Sequence, residues 1–325
     1  MFEPKTYTVQ LALMITSMCC WGSWANTLKL TPGWRFQAFY WDYVIGLLIA
    51  SMAFGTMLGG GPVFLHELAT PSLVAVSYAL LAGVIFNAAN QLLVAAIDLA
   101  GLAVAFPIGI GLALVIGVLL NYLLAPAANP FLLFGGVILV ALAIVVDAMA
   151  YRRRESSSGT VSRQGILISL LCGVLMGVFY PFLTRAMQGD GALGAYSVVP
   201  YFAIGVAVCA LPLNFWLMRK PFTGTPVEFS NYTAAKPAWH LWGAMGGIIW
   251  CAGLSANLIS SRAQLVGPAV AYAIGQGATM ISAAWGVFIW REFRSAPKIV
   301  NILLPLMFIL FIAGLGLVAL APTWH

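Results

Sequence analysis

Ten long apolar stretches, separated by short polar segments, constrain the fold of this chain more than any other feature. Most are 20 or more residues long, and a helix of about 20 residues crosses the hydrocarbon of a bilayer. We place the stretches at residues 8–28, 38–58, 72–96, 101–123, 131–150, 164–186, 195–218, 239–260, 266–290 and 298–320. They lack the polar–apolar alternation of membrane barrel strands. The sequence therefore predicts an all-α polytopic membrane protein with ten transmembrane helices.

The composition excludes a soluble domain. Of the 325 residues, 62% are hydrophobic and only 7% are charged, whereas soluble domains carry about a quarter charged residues. The five cysteines lie inside apolar stretches and form no metal-binding spacing. We therefore expect no cofactor, no metal site and no catalytic residues.

An internal repeat indicates how the helices are organised. Residues 101–111 (GLAVAFPIGIG) and 267–277 (GPAVAYAIGQG) are identical at seven of eleven positions, and each opens the fourth stretch of its half. A unit with an odd number of spans, duplicated in tandem, inserts its second copy upside down, as in many secondary transporters. We predict a five-plus-five inverted repeat, with residues 1–151 and 164–325 as the two copies and residues 152–163 as a cytoplasmic linker.

Positive charge predicts the orientation. Loops after odd-numbered stretches carry twelve Lys and Arg residues, and the other side carries three. The positive-inside rule places the richer side in the cytoplasm and both termini outside. The net charge of +6 reflects this loop bias, so it needs no nucleic-acid partner. We expect a multi-pass protein of the cytoplasmic membrane, either a monomer or a homodimer.

Three amides share one face of the third predicted helix. Asn87, Asn90 and Gln91 stand at i, i+3 and i+4 near mid-depth. A polar side chain in hydrocarbon costs free energy unless it faces a partner or water. Uncharged amides suit a neutral, hydrogen-bonding solute. Hydrogen bonding between helices is the alternative, but a cluster of three favours a cavity lining.

The ninth stretch adds polar groups to the repeat. Tyr272 and Gln276 stand where the first copy has Phe106 and Ile110. The first copy would thus supply an apolar wall and the second a hydrogen-bonding wall, a combination that is typical of small-molecule pockets. Pro107 lacks an N–H donor and predicts a kink in the first copy. The repeated glycines fit either a hinge or close packing.

Aromatic residues gather in the same predicted region. Trp21, Trp24 and Asn26 belong to the first stretch, and Trp250 lies deep in the eighth. Such rings can stack on a flat heterocycle or on the apolar face of a sugar; packing within the core is an equal alternative. We assign these four residues to the predicted substrate site.

Charged residues are scarce in the apolar stretches. Asp42 starts the second stretch, close enough in sequence to Lys29 or Arg35 for an ion pair. We predict Asp42 and Lys29 to be coupling or gate residues, with H+ as the expected coupling ion and Na+ as the alternative. A structural ion pair is the competing interpretation of Asp42.

Longer stretches resemble a known family. CCWGSWANTLKL (19–30) and WRFQAFYWDYVIG (34–46) resemble the opening of ureide permease-type proteins. NAANQLLVAAIDLAGLAVAFPIGIG (87–111) is similar to the same region of the rhamnose–proton symporter and of glucose/ribose porters. All belong to the drug/metabolite transporter superfamily. The resemblance implies ten helices, a central cavity lined by the first, third, fourth, sixth, eighth and ninth of them, and alternating access.

The resemblance also implies a function. It favours a secondary transporter of a small neutral metabolite, such as a ureide, a nucleobase or nucleoside, or a monosaccharide, with proton coupling as in several members. The expected partners are this solute and the lipid bilayer. Efflux of drugs or metabolites is the alternative within the superfamily. An intramembrane enzyme and a structural scaffold fit the residues less well.

Overall fold

A computed structural model describes residues 1–154, 162–262 and 266–324. These residues form helices and no strand, so the all-α prediction is confirmed for the described part of the chain. The predicted linker, residues 152–163, lies mostly outside it. The helices are α1 (Tyr7–Ser23), α2 (Asn26–Lys29), α3 (Phe36–Leu58), α4 (Pro62–Ala69), α5 (Leu73–Ala100), α6 (Leu102–Phe106), α7 (Leu112–Leu124), α8 (Pro130–Arg154), α9 (Arg163–Ala186), α10 (Val198–Arg219), α11 (Phe229–Thr233), α12 (Pro237–Arg262), α13 (Gly267–Gly275), α14 (Ala278–Ala284) and α15 (Val300–Leu320).

Within these described ranges, eight helical segments are long and apolar enough to cross a membrane. They are α3, α5, the continuous α6–α7 segment, α8, α9, α10, α12 and α15. The protein is therefore a polytopic membrane protein. The other two predicted stretches are also helical but are interrupted.

The first stretch is shorter than predicted. Helix α1 begins after Thr6, whose side chain accepts a hydrogen bond from the Val9 amide, and it ends at Ser23. The chain then turns before α2 begins at Asn26. One continuous helix over residues 8–28 is therefore wrong at its C-terminal end.

Both copies of the repeat interrupt the α-helix at matching positions. In the first copy, Pro107–Gly111 is π-helical between α6 and α7; in the second, the chain leaves α13 after Gly275 and resumes at Ala278. Proline removes one helix hydrogen bond, and π-turns often mark functional positions in helices. The irregularity predicted at Pro107 in the first copy is present, and the second copy is interrupted as well.

The long helices pack in a regular pattern. Helix α3 lies against α10 and α12, and α5 lies against α9 and α10. Helix α1 contacts α12 and α14, α7 contacts α9, and α8 pairs with α15.

Glycines allow the backbones to approach closely at the crossings. A Cβ atom on Gly205 of α10 would lie 2.1 Å from the Leu80 carbonyl oxygen of α5, and one on Gly247 of α12 would lie 1.9 Å from the Tyr43 carbonyl oxygen of α3. Facing glycines, Gly83 and Gly46, complete these two crossings. Small residues at interfaces are the common way for membrane helices to pack.

Hydrogen bonds between loops define two ends of the bundle. At one end Phe2 N–H donates to the Leu58 carbonyl (2.9 Å), and Arg262 donates to the Leu193 carbonyl (3.2 Å); we call this the N-terminal end. At the other, Arg35 donates to the Thr223 carbonyl (3.2 Å). The second end also carries Arg154, and we call it the arginine-rich end.

Substituting a crossing glycine tests this packing. We expect Gly205→Ala and Gly247→Ala to destabilise the protein by about 1–3 kcal/mol each, because the new methyl group meets backbone that cannot move aside. The measurement is the thermal unfolding midpoint in detergent. Gly316→Ala is the matched control, since no atom lies within 4 Å of its added Cβ. Equal midpoints for all three variants would contradict the close approach.

Candidate solute-binding site

The three predicted amides face the interior of the bundle. Asn87, Asn90 and Gln91 are all buried. The Tyr40 hydroxyl of α3 donates to Asn87 Oδ1 (2.9 Å), and Asn90 Nδ2 donates to the Tyr40 oxygen (3.3 Å). The amides therefore point toward α3, away from the lipid-facing side of α5, and the i, i+3, i+4 spacing placed them on one face as predicted.

Part of this amide face has no protein partner. Within the described residues, Asn87 Nδ2 and both polar atoms of the Gln91 side chain are buried without a hydrogen bond. A buried unsatisfied group costs about 1–3 kcal/mol, and native proteins rarely keep one without a reason. The amide face thus has unused hydrogen-bonding capacity that a polar solute can take up.

Trp250 forms the centre of an aromatic cluster beside the amides. Its ring lies 4.2 Å from Phe86, 5.6 Å from Phe202 and 5.9 Å from Trp21 by centroid distance. Trp21 also donates from its indole nitrogen to the Trp250 carbonyl (3.3 Å). Trp24 packs on Tyr43 at 5.0 Å, next to Tyr40 on α3. The structure therefore brings Trp21, Trp24 and Trp250 together around the α3–α12 crossing.

One expectation about these residues is not met. Residues that line a cavity are expected to be accessible to solvent, but the exposed fractions of Asn87, Gln91, Trp250, Tyr272 and Gln276 are 0%, 2%, 5%, 0% and 8%. Neighbouring aromatic rings and backbone cover them in this conformation. Aromatic side chains, among them Trp250 and Phe86, pack beside these residues.

The Tyr272 hydroxyl, predicted to bind the solute, bonds to backbone carbonyls of other helices. It contacts the Met176 carbonyl (3.1 Å) and the Ala113 carbonyl (3.3 Å), so α13 is tied to α9 and α7. Gln276, at the interruption of the second repeat copy, makes no side-chain hydrogen bond to the described residues. Of these two residues, Gln276 has the free hydrogen-bonding groups.

Asn257 is a buried polar residue that sequence reasoning missed. It accepts from the Tyr180 hydroxyl (2.6 Å) and donates to Ser17 Oγ (3.1 Å) and to the Ala271 carbonyl (2.8 Å). One side chain on α12 thus connects α1, α9 and α13. An asparagine inside an apolar stretch is itself a sign of a buried polar site, but Asn257 has no other amide near it in the sequence and was therefore not selected.

Asn26 does not join the amide face. Its Oδ1 accepts from the Trp290 indole (2.6 Å), and its Nδ2 donates to the Ser23 carbonyl (3.1 Å). The turn after Ser23 carries Asn26 on α2 toward residue 290, at the arginine-rich end. The sequence placed it in the substrate site only because α1 was expected to continue.

The predicted ion pair of Asp42 is wrong. Asp42 Oδ2 lies 2.8 Å from His240 Nδ1, and the Tyr232 hydroxyl donates to Asp42 Oδ1 (2.9 Å). Lys29 instead pairs with Glu292, because α2 turns away from α3. Arg35 donates to a backbone carbonyl.

Glu292 joins three segments of the arginine-rich end. It pairs with Lys29 on α2 and, at 2.7 Å, with Arg154 at the end of α8. Partial burial acts to raise the pKa of Glu292, but the hydrogen bond and charge of Lys29, together with Arg154, outweigh burial and hold that pKa below its usual value. The carboxylate therefore stays ionised and links the three segments.

Both ends of the bundle carry open space, and at the arginine-rich end a cavity of about 730 Å³ lies on the surface beside Trp216, Arg219 and Lys220. A cavity of about 720 Å³ opens at the N-terminal end, where its lining includes Gln10, Glu67, Ile259 and Arg262. At the arginine-rich end, the cavity beside Gln91 measures about 10 Å³, close to the minimum for one water molecule.

The family model for sugar transport proteins matches residues 15–320 of this chain. The chain belongs to the sugar transport protein family. This membership makes the protein a membrane transporter and not an enzyme.

Members and relatives of the sugar transport protein family align along most of the chain. Ureide permease 2 of Arabidopsis thaliana is 24% identical, and ureide permease 1 is 23% identical, each over 97% of both chains. The probable glucose uptake protein GlcU of Priestia megaterium is 24% identical over 82% of this chain and 88% of its own. The resemblance drawn from the sequence is confirmed.

A solved crystal structure shares the fold. It matches with a TM-score of 0.62 at 19% identity and covers 95% of this chain and 96% of that one.

Breaking the Glu292 contacts tests the closure of the arginine-rich end. We expect Glu292→Gln to open this end more often, although partly exposed pairs contribute only about 0–1 kcal/mol each. The readout is maleimide labelling of Gln37→Cys, beside the narrow cavity, in a protein whose five native cysteines are replaced by alanine. We expect labelling to be about two- to fivefold faster.

Glu228→Gln serves as the control for this measurement. Its carboxylate contacts Ser230 within its own short helix, so its loss leaves the three-segment junction intact. The same labelling rate with and without Glu292 would show that the junction does not hold this end closed.

Proposed function

We propose that the chain is a ten-helix transporter built from two inverted five-helix repeats, residues 1–151 and 164–325. The first repeat contributes α1, α3, α5, α6–α7 and α8, and the second contributes α9, α10, α12, α13–α14 and α15. Tandem copies with an odd number of spans have opposite orientations, and such repeats place one site between two rocking halves.

The packing pattern supports this proposal. If the two repeats are equivalent, replacing each helix of a contact by its counterpart should give another contact that is also present. The α3–α12 contact then corresponds to α10–α5, the α5–α9 contact to α12–α1, and the α7–α9 contact to α14–α1. All six contacts are present. The α8–α15 pair maps onto itself. The two closest glycine crossings, at Gly205 and Gly247, belong to one such exchanged pair of contacts.

The substrate we propose is a small neutral polar metabolite: a ureide, a nucleobase or nucleoside, or a monosaccharide. The observation that carries this proposal is the set of unpaired amide atoms on Asn87 and Gln91. They offer both donors and acceptors without charge, next to the Trp250 ring cluster. Asn90, Trp21, Trp24 and Gln276 complete the proposed site. The names of the ureide permeases and of the glucose uptake relative agree with this class of solute.

The transport cycle follows from the difference between the two ends. We assign the arginine-rich end to the cytoplasm, from the excess of Lys and Arg in its loops, and the protein to the cytoplasmic membrane. On the inner side, the Lys29–Glu292 junction joins separate segments and the cavity beside Gln91 measures about 10 Å³, whereas a cavity of about 720 Å³ opens on the outer side. Proton-coupled uptake by alternating access is the proposed mechanism, with Lys29 as a gate residue and Asp42 as a coupling residue.

Uptake into proteoliposomes tests the proposed site. We expect Gln91→Ala and Gln276→Ala to weaken solute affinity about two- to tenfold each, since a lost hydrogen bond costs about 0.5–1.5 kcal/mol. Initial uptake rates of radiolabelled allantoin, uracil and glucose give the affinities.

The control is Gln188→Ala, which follows the end of α9 at the N-terminal end. Expression and the elution profile of each variant establish that the fold is intact. Unchanged affinity and rate in both Gln91→Ala and Gln276→Ala would remove these residues from the site. No uptake or exchange of any of the three solutes by the wild type would overturn the proposed substrate class.

A further inference from the structure

The contacts of Asp42 form a second site, separate from the amide face. Asp42 Oδ2 lies 2.8 Å from His240 Nδ1, and Tyr232 donates to Oδ1 at 2.9 Å. The three groups come from different segments: α3 in the first repeat, α12 in the second, and the short helix α11. We propose that Asp42, His240 and Tyr232 form the proton-binding site of this transporter, an assignment that rests on the proposed function.

His240 has the geometry to accept a proton. An ionised Asp42 holds the imidazole with its proton on Nδ1, which leaves Nε2 with a lone pair. Nε2 makes no hydrogen bond to the described residues, and the His240 side chain is 29% exposed. Imidazole is the side chain that changes charge near neutral pH. One proton from water then adds to Nε2, and the neutral ring becomes an imidazolium paired with the Asp42 carboxylate.

Aromatic rings surround this imidazole. The Trp34 ring makes a T-shaped contact with the His240 ring, with 5.3 Å between ring centroids and 78° between ring planes. The Tyr232 ring makes a second T-shaped contact with it, at 4.8 Å and 90°. The face of an aromatic ring can contact an imidazolium through a cation–π interaction. Burial and the neighbouring Asp42 carboxylate raise the pKa of Tyr232 to about 12. Tyr232 therefore remains a hydrogen-bond donor to Asp42.

Other charges near the site do not contact it. Arg35 donates to the Thr223 carbonyl, and Lys236 lies over the Trp239 ring at 5.5 Å. From α10, the side chains that contact α3 include Asn214, Phe215 and Met218, which are uncharged. Tyr232 and His240 are thus the titratable groups that face Asp42 from the segments packed against it.

The contacts favour H+ over Na+ at this position. Hard metal cations are held by sets of oxygen ligands, but both oxygens of Asp42 already contact a donor or a ring nitrogen. Asp42 also has little room around it, because a Cβ atom on Gly243 would lie 2.7 Å from Asp42 Cβ.

The same helix connects the proton site to the solute site. Two residues before Asp42, Tyr40 bonds to Asn87 and Asn90 on α5, whereas Asp42 bonds to α12. Protonation turns a hydrogen bond between a carboxylate and a neutral imidazole into an ion pair between the two repeats. The positions of α3 and α12 at this end therefore depend on the proton, and the amide face moves with α3.

Gradient-driven transport tests the assignment. Full-length protein in proteoliposomes is loaded at pH 7.5 and diluted into pH 6.0 with radiolabelled allantoin or glucose as the probe. Wild type is expected to accumulate the probe above equilibrium, and a Na+ gradient at equal pH is expected to have no effect. Asp42→Asn and His240→Asn are expected to lose at least about tenfold of this accumulation while they keep exchange of labelled for unlabelled probe.

His66→Asn is the matched control, because His66 lies on α4 at the N-terminal end; it should accumulate the probe like wild type. His240→Asn keeps a donor for Asp42 and so covers the case in which Asp42→Asn does not fold. Proton entry on addition of probe, followed with pyranine inside the vesicles, should disappear in the same variants.

The outcomes separate the two proposals. Normal accumulation in His240→Asn, or accumulation driven by Na+ alone, would overturn the proton site and leave the transport function standing. A wild type that exchanges neither probe, nor uracil, would overturn the proposed substrate class, and the proton site with it.

Discussion

The fold depends on one constraint: a polar group inside hydrocarbon must find its partner within the protein. Helix formation pairs the backbone N–H and C=O groups, and the polar side chains deep in the membrane point inward to other helices. Asn257 shows the consequence most clearly, since its amide bonds to α1, α9 and α13 together. The Tyr40 hydroxyl plays a similar part for Asn87 and Asn90. The unpaired atoms of Asn87 and Gln91 are exceptions to this rule, which is why they mark the candidate site.

Close helix crossings and interrupted helices have complementary effects. Glycines at positions such as Gly205 and Gly247 bring the backbones of facing helices into contact, so those crossings can transmit a displacement without loose side chains in between. The π-helical turn at Pro107–Gly111 and the break after Gly275 lie at matching positions of the repeat. Breaks at matching positions are suited to bending in the two halves of an alternating-access transporter, as proposed for this chain.

Sequence patterns predicted local features well and distant partners poorly. The i, i+3, i+4 spacing of Asn87, Asn90 and Gln91 was sufficient to place them on one buried face, since helix geometry alone decides this. Asp42 was assigned a wrong partner because His240 is 198 positions away in the chain, beyond any local pattern. Asn26 was misplaced because a single glycine, Gly22, is tolerated inside a helical pattern and did not mark the end of α1.

The sequence by itself determined the membrane class, the helical fold, the family and the positions of the repeated irregularities, because these follow from apolar length, local geometry and residue identity. Only the tertiary structure decided which polar groups have partners, that Trp250 packs among Phe86, Phe202 and Trp21, and that Lys29 and Arg154 share Glu292. Those contacts join segments far apart in the chain. They exist only once the helices have packed, so their pairing is not encoded in any single stretch of residues.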